Sequence, residues 1–486
     1  MGDNIKERAI SGAVFGFGEK FSLQVFGFIQ GVILARLLSP SDYGLIAMTG
    51  VFTGLSYTLI DSGFSTALIQ KPNKTEKDYS TVFIVNVFMS FAIAAVLILS
   101  SNAIANFYNQ PVLDLIIKAY AFQFILTSLV TIQDIRLSIM LEFKKKSLIN
   151  ILTTIVTGIC AIVMAYFGFG VWSLVYPYFL EIIVKFLLYW KCQHWFPKMQ
   201  FSKDSFKALF SFGSKILASS ILATIFDNLY ALIIGKFYSA KDLGYYSRGY
   251  GYSALPTKTI TSVIDTIAYP ILSRLQDEKT SMMAVFRKML RLSAFVIFPI
   301  MLWLMALAKP LVVVLVTEKW LPCVVYLQLL CAASMWWHVH VLNLSLLKAI
   351  GRSDLFFYLE IAKKIITIAI ICVTLPLGIK AMCVGSIVSA LLSMTVNSFY
   401  TGKMFHYGIL MQLKDMAPSL LYSISMAMVI FSCNFCVEGN FAKLLVGTIV
   451  GGAYFIIITK LTKSADMKFI MSIINDKLKH TIGHGK

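Results

Sequence analysis

Apolar runs of about 20 residues, each long enough to cross roughly 30 Å of hydrocarbon as a helix, recur from one end of this 486-residue chain to the other. A backbone immersed in lipid must satisfy its own hydrogen bonds, so such runs are expected to be helices. Composition agrees: 58% of residues are hydrophobic and only 14% charged, with mean hydropathy +0.77. That is too little polar surface to cover a soluble core of this size. The runs are not confined to one terminus, which excludes a soluble domain carrying an anchor. Met1 to Ser11 is polar and too long before the first apolar run to resemble a cleaved signal peptide, so the first span is expected to act as the insertion signal.

Hydropathy predicts about fourteen transmembrane helices, roughly 12–37, 44–68, 79–101, 113–135, 148–167, 170–190, 208–235, 244–272, 288–308, 322–347, 355–375, 378–401, 415–436 and 440–461. The formal charge of +19 is then read against topology. One set of loops holds Lys71, Lys74 and Lys77, then Lys144 to Lys146, then Lys191, Lys198, Lys203 and Lys207, then Arg274, Lys279, Arg287 and Lys288. Lys463, Lys468, Lys477 and Lys479 follow in the tail. The opposite loops are nearly uncharged, 102–112 and 166–171 carrying none and 374–380 only Lys380. This asymmetry places both termini in the cytoplasm and accounts for most of the charge without nucleic acid as a partner.

An internal repeat organises the chain. Phe15-Gly16-Phe17-Gly18-Glu19-Lys20 parallels Phe210-Ser211-Phe212-Gly213-Ser214-Lys215, and Arg36-Leu37-Leu38-Ser39-Pro40-Ser41-Asp42-Tyr43-Gly44 parallels Lys236-Phe237-Tyr238-Ser239-Ala240-Lys241-Asp242-Leu243-Gly244. A basic residue, a Ser and an Asp-x-Gly turn return at one spacing, which apolar helices alone do not produce. Six spans per repeat is an even number, so both copies enter the membrane in the same direction and are expected to be related by an axis along its normal. The expected organisation is an all-α membrane protein with two six-helix lobes, 1–200 and 201–407, two further helices in 408–462 and a cytoplasmic tail, 463–486.

Six plus six spans with two more behind them resembles the multidrug/oligosaccharidyl-lipid/polysaccharide exporter superfamily. Local motifs are similar to its polysaccharide-transporter branch: Leu34-Ala35-Arg36-Leu37-Leu38-Ser39-Pro40-Ser41-Asp42-Tyr43-Gly44, Gly168-Phe169-Gly170-Val171-Trp172-Ser173-Leu174-Val175, Tyr269-Pro270-Ile271-Leu272-Ser273-Arg274-Leu275-Gln276 and Lys348-Ala349-Ile350-Gly351-Arg352-Ser353-Asp354. The resemblance covers nearly the whole chain. It implies a flippase moving undecaprenyl-diphosphate-linked O-antigen, capsule or exopolysaccharide units to the outer leaflet of a bacterial inner membrane. Glycan polymerase and other assembly proteins are the partners it implies.

A substrate with a diphosphate and sugars needs a polar cleft, and charges well inside spans are the candidates to line one. Arg248, Lys20, Lys215 and Lys258 are the candidate cations for the diphosphate, Arg being shaped for bidentate contact. Tyr252, with Tyr245, Tyr246 and Tyr250, offers hydroxyls and flat faces for sugars, and Gly244, Gly249, Gly251 and Pro256 are expected to make this span irregular. Glu19, Asp61, Asp227 and Asp265 are candidate binders of a coupling H⁺ or Na⁺. Against these stands snorkelling, in which Lys20, Lys215, Arg36 and Lys236 reach the interface from span ends.

Other signals favour structure over chemistry. Glu181 and Lys185, at i and i+4, read as an intrahelical pair. His338 and His340 are two apart and suit packing or cavity lining better than a metal. Cys433 and Cys436 have CxxC spacing near an outer helix end, without other redox signals. Gly27 and Gly31, like Gly447 and Gly451, suit close helix packing. Asn73-Lys74-Thr75 matches a glycosylation acceptor in a loop placed inside the cell. No GxxxxGK[ST] loop for ATP is present, and no metal or cofactor is expected. A multidrug exporter or a lipid II flippase of the same superfamily fits the spans equally well. A glycan polymerase or ligase is the alternative of another class, disfavoured by short outer loops.

Overall fold

The computed structural model describes residues 2–61, 63–193, 195–472 and 475, with side chains from Gly18 onward except Ser353; Lys477 and Lys479 lie outside the described residues. Every regular element among them is helical. The first seven are α1 (Gly2–Leu37), α2 (Pro40–Asp61), α3 (Phe64–Gln70), α4 (Glu76–Tyr108), α5 (Val112–Ile139), α6 (Phe143–Tyr166) and α7 (Pro177–Gln193). Then come α8 (Lys203–Asp227), α9 (Leu229–Phe237), α10 (Ala240–Arg274), α11 (Lys279–Ala306) and α12 (Ala308–Val316). The remainder are α13 (Cys323–Ser334), α14 (Trp337–Ala349), α15 (Ser353–Thr374), α16 (Ile379–Phe405), α17 (Ile409–Cys436) and α18 (Asn440–Leu461).

Twelve described helical stretches, rather than the expected fourteen, are long and apolar enough to cross a membrane. This is a multi-pass membrane protein. The two expected spans outside that set coincide with α10 and α15, of 35 and 22 residues. Their length suffices. What separates them is polarity: Arg248, Lys258 and Asp265 among Gly, Ser, Thr and Tyr residues along α10, and Asp354, Glu360, Lys363 and Lys364 on α15. Some spans are broken into pairs of helices, α2 and α3 parting at Gly63 with φ +68°, and α8 and α9 at Asn228. Despite Pro256 and Pro270, α10 runs as one helix, so the irregularity expected there is absent.

The chain divides into two compact units, Met1–Gly244 and Tyr245–Lys486. Packing and repetition therefore draw different boundaries, because α8 and α9 open the second repeat but pack in the first unit. Within that unit α8 lies against α2 with little side chain between them. A Cβ on Gly63 would fall 2.4 Å from the Gly213 carbonyl oxygen, and the Thr58 and Thr224 hydroxyls meet at 3.2 Å. A core of Phe64, Leu68, Val82, Ile132 and Leu209 seals the end of this contact.

The two repeated turns adopt one geometry. The Ser39 hydroxyl donates to Asp42 Oδ2 at 2.6 Å, and the Ser239 hydroxyl to Asp242 Oδ2 at 2.5 Å. In return each hydroxyl accepts from the Asp backbone N–H, at 3.3 and 3.1 Å, satisfying a donor that the first helical turn leaves open. The turns also meet reciprocally. A Cβ on Gly44 would sit 1.7 Å from the Ala240 oxygen, and one on Gly244 would sit 1.8 Å from the Pro40 oxygen. Position 40 aligns with 240 and 44 with 244, so the contact between the two turns is reciprocal.

The second unit is locked by a buried polar network. Asn343 and Gln412 exchange amide hydrogen bonds at 3.0 and 3.1 Å, and the Thr401 hydroxyl donates to Asn343 Oδ1 at 2.8 Å, tying α14, α16 and α17 together. In a lipid-solvated bundle such bonds replace much of the hydrophobic drive for helix association. Gly447 and Gly451 pack as expected, a Cβ on the latter falling 2.5 Å from Ile430 Cδ1. Gly27 does not, since a Cβ there would meet nothing within 4 Å.

Candidate functional site

Lys258, Thr261, Ser262 and Asp265 stand at i, i+3, i+4 and i+7 on α10, so four successive positions of one helical face are polar. In a membrane helix such a face is costly unless it borders protein or water. It lines a cleft of 340 Å³ in the second unit, together with Trp337, Lys348 and Phe356. Trp337, Val341, Leu344 and Lys348 lie at i, i+4, i+7 and i+11, one face of α14. The cleft therefore has two ammonium groups, one carboxylate and aromatic walls. The Ser345 hydroxyl donates to Asp265 Oδ1 at 2.7 Å and fixes that carboxylate. Lys258 Nζ lies 5.5 Å from the Tyr250 ring and Lys348 Nζ 5.3 Å from the Phe356 ring, distances at which a cation is attracted to the ring face. Trp337 is 52% exposed, leaving about half of its surface accessible.

Of the candidates expected from sequence, the structure brings Lys258 and Asp265 into this cleft and leaves the others elsewhere. Arg248, half-buried, stands ten residues before Lys258 on α10, about 15 Å along the helix. Its guanidinium is 5.4 Å from the Trp320 ring and 5.6 Å from the Tyr252 ring. Tyr245, Tyr246 and Tyr252 are buried, while Tyr250 keeps an exposed face. Glu19 accepts from the Ser147 hydroxyl at 2.6 Å and Asn150 Nδ2 at 2.7 Å, joining α1 to α6. Lys20 and Lys215 are exposed. Asp61 and Asp227 are the last residues of α2 and α8, each beside a break in its span, and Asp61 accepts from the Ser65 hydroxyl. Carboxylates at broken transmembrane helices are well placed for cations, because the C-terminal end of a half-helix also presents free carbonyls.

A family described as polysaccharide biosynthesis protein matches residues 33–325, more than half of the chain and including α10 through Lys258 and Asp265. The chain belongs to this polysaccharide biosynthesis protein family. It is similar to the teichuronic acid biosynthesis protein TuaB of Bacillus subtilis, 26% identical over 73% of this chain and 74% of that one. The lipopolysaccharide biosynthesis protein WzxC of Escherichia coli is 25% identical, over 81% of this chain and 80% of its own. The succinoglycan biosynthesis transport protein ExoT of Rhizobium meliloti is 20% identical over 92% and 91%. Among solved structures, the lipid II flippase MurJ in an inward closed conformation matches with TM-score 0.73 and 15% identity, over 93% of this chain and 98% of that one. An inward-facing multidrug resistance transporter of the MATE family, in the MOP superfamily, matches with TM-score 0.61 and 12% identity, over 79% and 94%. These two share the fold.

The remaining motifs have the following surroundings in this family member. Glu181 and Lys185 pair at 2.6 Å. His338 Nδ1 lies 2.9 Å from the Met335 carbonyl, and His340 Nδ1 lies 3.1 Å from Asn397 Nδ2, both rings buried. Thr75 of the acceptor-like tripeptide caps α4, its backbone N–H donating to Asp78 at 2.8 Å. Cys433 and Cys436 are free thiols on α17. Sequence reasoning missed Lys348, Trp337 and Ser345, whose role depends on the neighbouring helix. It also missed Arg136, 8% exposed, whose guanidinium stacks 4.2 Å from the Trp195 ring and 5.4 Å from Tyr79. Trp195 in turn donates to Glu76 at 2.8 Å, pinning the segment between α7 and α8 onto α4 and α5.

Proposed function

We propose that the protein is a flippase without catalytic chemistry, moving lipid-linked oligosaccharide units from the inner to the outer leaflet of a bacterial cytoplasmic membrane. The observation that carries this reading is the polar face of α10, with Lys258 and Asp265 opening on a cleft beside Lys348. A membrane helix bears that cost where a polar cargo must pass. Kinship with polysaccharide biosynthesis and transport proteins supports the same cargo class. Lys20, Lys215 and Arg248 are further contacts for a diphosphate in this reading, and Tyr252 supports Arg248. Transport is coupled to H⁺ or Na⁺ through Glu19, Asp61, Asp227 or Asp265, with both termini cytoplasmic and a glycan polymerase receiving the product.

Expression in a bacterium lacking its own oligosaccharide flippase tests the reading. Surface glycan returns if it holds. Absence of glycan with several relatives' cognate substrates, in cells where a blot finds the protein in the membrane, overturns it; export of cationic dyes by the same cells would put a drug transporter in its place.

A further inference from the structure

We infer that the cleft between α10, α14 and α15 is a glycosyl-phosphate subsite in which Asp265 sets which sugar is accepted; this assignment rests on the flippase reading above. The cleft holds separate provisions for the two halves of such a group. Lys258 and Lys348 bring two ammonium charges to one cavity from facing helices, matching a phosphate. Trp337 offers a broad apolar face of the kind that packs against the C–H side of a sugar ring, and Phe356 adds a second aromatic side chain to the lining. Asp265 is the one carboxylate lining the cavity among the described residues. One oxygen is occupied by the Ser345 hydroxyl, which aims the group and leaves its other lone pairs for sugar hydroxyls. Carboxylate acceptors in fixed positions discriminate hydroxyl stereochemistry strongly, since a donor in the wrong place leaves a charged acceptor desolvated and unmatched.

The test uses the full chain in lipid nanodiscs, with glucose 1-phosphate, galactose 1-phosphate and inorganic phosphate as probes, and each hexose phosphate also esterified to a short prenyl chain. The prenyl-linked sugar phosphates are expected to bind more tightly than the free ones and to quench fluorescence that the Trp337→Phe variant lacks. Inorganic phosphate competes without that quenching. Lys258→Gln and Lys348→Gln each weaken binding about tenfold or more. Asp265→Asn narrows the ratio between the two epimers at least severalfold without weakening phosphate competition, a result that a structural role would not produce. Wild-type affinity in the Lys258→Gln/Lys348→Gln double variant overturns the assignment, as does an unchanged epimer ratio in Asp265→Asn. Quenching of Trp337 by lipids brominated on their acyl chains, undiminished by the probes, overturns it too, the cleft then being a lipid groove. Glycan export in cells separates the two claims. Export by the wild type together with normal export by the double variant removes the subsite alone. Probe binding as expected, with no export, removes the flippase reading alone.

Discussion

Arg248 illustrates how a residue can be recognised before its surroundings are known. A guanidinium inside a membrane span is conspicuous in sequence, but its stacking between Trp320 and Tyr252 depends on α10 packing against the segment before α13. If Arg248 contacts the diphosphate, Arg248→Ala removes a charge-assisted bond of about 1.5–3 kcal/mol and slows export about ten- to a hundredfold. Lys restores part, retaining charge without the planar fork. Surface glycan in a flux-limited strain measures this, with membrane abundance checked by blot; normal export by Arg248→Ala would leave only a packing role. Gly44 is the opposite case. The sequence marks it as a repeated turn glycine, whereas its need for a bare Cα comes from the Ala240 carbonyl 1.7 Å from where a Cβ would stand. Overpacking of that severity costs about 1–3 kcal/mol or more. Gly44→Ala and Gly244→Ala are both expected to lower the temperature at which the purified protein aggregates, and an unchanged temperature would show that the turns separate freely.

At the scale of elements, the amphipathic reading of α10 was available from spacing alone: Lys258, Thr261, Ser262 and Asp265 share a face in any helix. What lies opposite that face was not, because Trp337 and Lys348 belong to α14, and no local rule states which helices become neighbours. The Ser-x-x-Asp turns were legible as a repeat, while their capping geometry came with the structure, the Ser hydroxyl donating to the Asp carboxylate in each. Asp42→Ala and Asp242→Ala should each cost about 0.5–2 kcal/mol through a lost cap, read as a drop in the midpoint of thermal unfolding in detergent. Equal wild-type midpoints would mean that neighbouring groups satisfy the helix ends. The network linking α14, α16 and α17 was not foreseen, since Asn343 and Gln412 are 69 positions apart. Truncating either leaves the other's amide buried and unsatisfied, so Asn343→Ala and Gln412→Ala should couple by about 0.5–3 kcal/mol in a double-mutant cycle. Additive losses would show that the two amides act independently.

For the whole molecule, the loop charges predict that reporter fusions at Asn106 and Gly168 read outside and those at Lys145 and Lys479 inside; two of the four reading oppositely would overturn the orientation. The apolar runs were enough to establish a helical multi-pass protein, because lipid offers the backbone no other partner. Their number was less secure. Length and composition single out twelve of the described helices, and α10 and α15 stand apart because polar and charged residues that border a cleft or a neighbouring helix count, in a one-dimensional average, like residues in water. Repetition of the Ser39–Gly44 turn at Ser239–Gly244 was visible in the order of residues, since side-chain type and spacing are local properties. Its reciprocal backbone contact, the packing of α8 in the first unit and the pairing of Lys258 with Lys348 in one cleft were decided only by tertiary structure. Sequence determines which faces must avoid lipid, but the partner that each face finds is set by close packing of helices far apart in the chain.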